Sequence, residues 1–186
     1  MNPAVDVRIG GLIRVLDKIV VPALPAGIAR DQAALVAGHL RVLREQVDFA
    51  ARYELLQLCA ARCLAQELLA VARGGERTTS AVDTLAEHVA APVPAGTRSV
   101  RDCYLRTIGA IEDLVRACGS DGEQSVIPAV NRCVLRHGRD QALREREWFS
   151  GMGFESSLCQ SLPAMMDRFD AQYGDGVQPH SSGGGA

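Results

Sequence analysis

From Asp31 to Arg73 the chain meets no proline and one glycine, Gly38, before Gly74-Gly75 stops it. Strands are far shorter than this, so the stretch dictates a helix. At 1.5 Å per residue it would span roughly 60 Å, about twice the width of a small domain. A helix of that length either kinks or projects towards a partner. Its second half, "LLQLCAARCLAQELLA", is apolar nearly all round and reads as the buried central element.

The rest of the chain has the same character. Val5, Ile9, Leu12, Leu16 and Ile19 form a stripe of helical period in the first segment. Asn2 and Pro3 open that helix, and Pro22 and Pro25 end it. "TTSAVDTLAEHVA" reads as a short helix with Ser80 and Asp83 as its capping pair and Val82, Leu85 and Val89 inside. Ser99 and Asp102 open the next helix, which carries Val100, Cys103, Thr107, Ile111, Leu114 and Cys118 inward and stops at Gly119. Ser120 and Glu123 precede a helix over about Ile127 to Trp148. The glycines of "WFSGMGFESSLC" predict a turn, and Ser161 and Pro163 begin a last helix to about Tyr173. No alternating strand pattern and no internal repeat occurs. The expected fold is all-α, an antiparallel helical bundle of about five to six helices with one very long second helix. Residues 1–173 would form a single helical domain, and 174–186 a flexible Gly/Ser-rich tail.

With 186 residues the chain can bury a core without metal or disulfide support. Hydrophobic residues make up 47% and charged residues 23%, a globular balance. The net charge of −2 gives no pull towards nucleic acid or an anionic membrane, so neither is an expected partner. In "MNPAVDVRIGGLIRVLDKIVVPALP" no basic segment comes first, and Asp6, Arg8, Asp17 and Lys18 interrupt the apolar run. That is not a secretory signal. The expected location is cytoplasmic, where the six cysteines stay reduced.

Catalytic signatures are missing. A Walker loop needs Gly-Lys-Ser/Thr, and the only lysine, Lys18, lies in the first helix. "GMGFES" lacks a third glycine and a preceding strand. A nucleophile elbow fails because Trp148 stands where its first glycine belongs. Neither paired zinc-binding histidines nor facing Glu-x-x-His pairs are present. No cofactor and no metal are expected. Cys59 and Cys63 share a helix face; as thiolates they would suit a soft metal, and otherwise they are two small buried hydrophobes. "RHGRDQALREREWF" alternates charge as a solvated helix face does. Trp148 and Phe149 after it are candidates for partner contact, or core anchors at one end of the bundle.

The stretch "GHLRVLREQVDFAARYELLQ" carries the candidate site. Arg41, Arg44, Glu45, Asp48 and Arg52 mark its wet side. Opposite them His39, Gln46 and Tyr53 recur every seven residues, with Gln57 following and Glu54 at the edge. Buried polar groups need partners. One reading is a helix–helix or dimer contact, in which polar seam residues fix register. The other is a small-ligand pocket, with His39 and Glu54 as acid–base groups and Gln46, Tyr53 and Gln57 holding the ligand.

"IRVLDKIVVPALP" followed by "DQAALVAGHLRVLREQ", with Leu16, Pro22, Ala23 and Leu24, resembles the start of small, uncharacterised bacterial helical proteins. These are associated with phosphotransferase-like kinases and acyl-CoA dehydrogenases. The resemblance covers about the first 50 residues and implies an accessory role in acyl- or CoA-linked catabolism. The functional expectation is therefore a non-catalytic helical interaction or accessory protein acting as a homodimer. The alternative is a helical-bundle enzyme or binder with its pocket on the seam.

Overall fold

A computed structural model describes residues 4–150 and 161–173. The chain is all-helical: α1 (Val5–Val15), a π turn (Leu16–Val20), α2 (Val21–Ala23), α3 (Ile28–Gln46), α4 (Ala50–Val71), α5 (Glu76–Ala90), α6 (Thr97–Asp121), α7 (Ile127–Trp148) and α8 (Leu162–Tyr173). Among the described residues the sole β-type pairing is an isolated bridge between Gly74 and Gly122. The capping pair Asn2-Pro3, the glycine turn after Ser150 and the Gly/Ser-rich tail lie outside the described residues.

The residues gather into two compact units. One is drawn from Met1–Ala50 and Leu143–Met166, the other from Ala51–Ala142 and Asp167–Ala186.

In the first unit, α1 packs on α3. Pro22 does not end the first helix as expected; the helix widens into the π turn and continues to Ala23. Proline has no N–H to give and its ring collides with the carbonyl four residues back. The Val21 N–H bonds instead to the Leu16 carbonyl five residues back, which accommodates the ring. The inner stripe also differs from the expected one. Ile13 is buried, whereas Val5, Leu12 and Ile19 are exposed. The segment carries two apolar stripes, and periodicity alone does not say which one faces inward.

The predicted long second helix is two helices. Residues 47–49 form turns, and the Phe49 N–H bonds to the Gln46 carbonyl only three residues back. Val47, Asp48 and Phe49 are all mediocre helix formers, so little resists the tighter turn.

The second unit holds the larger core. Leu64, Ala65, Leu68 and Ala72 meet Leu85 of α5, Ala110, Ile111, Leu114 and Cys118 of α6, and Val130 of α7. In α4 every residue from Leu56 to Ala61 is buried. Six consecutive residues cover more than one turn of 3.6, so the helix is enclosed on all sides there. Helix α5 starts at Glu76 rather than at Ser80, because its N-terminus is capped from outside. The Asp121 carboxylate accepts the backbone N–H groups of Arg77 (2.8 Å) and Thr78 (3.1 Å) and the Thr78 hydroxyl (2.6 Å). Helix α6 starts at Thr97, ahead of Ser99, after Gly96 at φ 90°, and passes Gly119 to reach Asp121. Helix α7 has the bounds that its sequence pattern predicts.

Candidate functional site

The two units divide the seam. His39 and Gln46 belong to the first; Tyr53, Glu54 and Gln57 belong to the second. The break at 47–49 means that steps of seven no longer trace one continuous helical row.

His39 is exposed, contrary to its expected place on an inner seam. Its Nδ1–H donates to the Leu35 carbonyl one turn back at 3.1 Å. It sits on the same side of α3 as Leu35, Val36 and Leu43, and that side faces solvent. Gln46 is buried, and its amide donates to the Trp148 carbonyl at 2.7 Å. That carbonyl is the last of α7, one of the terminal acceptors without an intrahelical partner. Gln46 thus closes a helix C-terminus from a distant part of the chain. Trp148 itself is buried and Phe149 is half exposed.

In the second unit Gln57 donates to the Tyr53 hydroxyl at 3.1 Å within α4. The Tyr53 ring lies 6.1 Å from Phe169, tilted by 58°, a common aromatic geometry. Phe169 in turn meets Tyr173 edge-on at 5.3 Å. Glu54 is partly exposed, with Arg101 of α6 at 3.5 Å. The structure thus brings Tyr53 and Gln57 together, pairs Gln46 with Trp148, and gives Glu54 a counter-ion. Both Tyr53 and Gln57 are buried, so Tyr53→Phe strands a buried amide donor. The expected cost is about 1 kcal/mol of stability by urea denaturation, with the fold unchanged.

The thiols are quiet. Burial pushes the Cys59 thiol up from its ordinary value, Cys63 adds to that and Arg62 opposes it. Partial burial raises Cys63 as well, reinforced by Glu67, but the residue is exposed, so it is not the second buried hydrophobe that the pattern suggested. Neither is a ready nucleophile. Among the described residues no group of three or more His, Cys, Asp or Glu side chains is placed to hold a metal. Arg62 spans neighbouring helices: it donates to the Ala91 carbonyl after α5 at 2.7 Å and lies 3.8 Å from the Cys103 sulfur.

Among the described residues, open grooves occur in the second unit. One of about 590 Å³ runs between α5 and α6, with Ser80, Ala81, Ala110 and Ala117 among its lining residues. Another, about 350 Å³, lies over Ile111, Val115 and Val134. Neither is lined by a seam residue.

Val5, Leu12 and Ile19, expected on the inside, belong instead to the exposed apolar residues of the first unit. On α1, Val5, Val7, Leu12 and Val15, and in the π turn Ile19, are each about half exposed or more, with Ile19 at 63%. On α3, Ile28 is 81% exposed, and Leu35, Val36 and Leu43 are close to half exposed. Val5 and Leu12 lie seven residues apart and so on one line of α1. Comparison with protein-family models, with curated proteins and with solved structures finds no match to this chain. No described helix is long and apolar enough to cross a membrane.

Proposed function

We propose that the protein is a non-catalytic helical interaction module that pairs with a second copy of itself through the exposed face of α1 and α3. The observation that supports this reading is the pair of apolar rows on two helices that pack against each other. Scattered exposed apolar residues are ordinary, but nine large ones on α1, its π turn and α3 are not. An isologous pairing would cover both copies of the face at once. Net charge near zero leaves little repulsion between copies.

A pocket along the seam has less support, because its polar groups have protein partners: Leu35 and Trp148 carbonyls, the Tyr53 hydroxyl and Arg101. The resemblance of the first 50 residues is the basis for assigning the module an accessory role beside acyl- or CoA-linked enzymes in the cytoplasm.

Sedimentation equilibrium tests the pairing. A dimer is expected at micromolar chain concentration. Leu12→Glu combined with Leu35→Glu should weaken it by tenfold or more while leaving the melting temperature of the monomer nearly unchanged, since both side chains are exposed. A wild-type chain that stays monomeric at about 100 μM, in the range where even weak pairs with a Kd of tens of micromolar are visible, removes the proposal.

A further inference from the structure

We draw no further inference here: the strongest candidate, the side-chain cluster in which Arg62 of α4 approaches the Cys103 thiol of α6 and keeps a buried Nε without an acceptor among the described residues, carries nothing because Arg62 is itself only partly buried and tied to the Ala91 carbonyl, and no second feature of the cluster points to a ligand.

Discussion

Gly74→Ala is expected to destabilise the second unit by about 3 kcal/mol, at the upper end of what overpacking costs. A Cβ at Gly74 would meet the Gly122 Cα at 2.6 Å, the Thr78 hydroxyl oxygen at 2.7 Å and the Asp121 carbonyl oxygen at 2.8 Å. Two of those three atoms are backbone and cannot swing away. The chain crossing at this point is held by the Gly75 N–H on the Asp121 carbonyl and the Glu123 N–H on the Arg73 carbonyl, each at 2.9 Å. Separating the two chain segments to admit a methyl group stretches both bonds and pulls Asp121 away from the start of α5. Gly119→Ala is the control. It lies inside α6, and a Cβ there meets nothing within 4 Å. It should stabilise the protein by about 0.5–1 kcal/mol, because alanine is the better helix former. Urea denaturation followed by circular dichroism measures both. Equal and small effects of the two substitutions would contradict the close crossing.

This crossing shows what a sequence can and cannot reveal. Gly74-Gly75 and Asp121-Gly122 are each readable as turn signals, and the first does end a helix. That the two turns meet, and that Asp121 caps a helix starting more than forty residues earlier in the chain, is a long-range fact with no local signal. The local cap that the sequence offered, Ser80 with Asp83, lies inside the helix instead. The helical class was legible because apolar residues recur at helical period almost throughout. The enclosed stretch of α4 was legible because it lacks a polar side. Which way α1 faces was not legible, since two stripes compete and only packing on α3 decides. For the seam, Gln46, Tyr53 and Gln57 do lie buried, as their pattern predicts, while His39 does not. The weak helix formers at 47–49 were visible, but nothing local measures whether such residues break a helix or are carried through by their neighbours.

Removing the Asp121 carboxylate is expected to lower the melting temperature by on the order of 10 °C at pH 7 in Asp121→Ala, because a helix start loses its cap and one crossing loses its anchor. The carboxylate serves three donors at once, two from the backbone of α5 and one from the buried Thr78 hydroxyl. The negative charge also lies at the positive end of the α5 dipole. The Thr78 hydrogen bond is the strongest influence on the carboxyl; burial opposes it, but the backbone N–H groups of Arg77 and Thr78 and the nearby Arg77 charge side with it, and the group is held below its ordinary value. A carboxyl lowered in the folded state stabilises that state above the pKa of the unfolded chain. The stabilisation is lost as pH falls through the folded value, where the group takes up a proton in both states. Asp121→Asn retains an acceptor oxygen but never carries the charge. It should therefore melt a few degrees below the wild type at pH 7, and the gap should narrow as pH drops below about 4, near the ordinary carboxyl value. Thermal melts of the three chains between pH 7 and pH 3 measure this. A constant gap between the Asn variant and the wild type across that range would mean that shape, not charge, holds the start of α5.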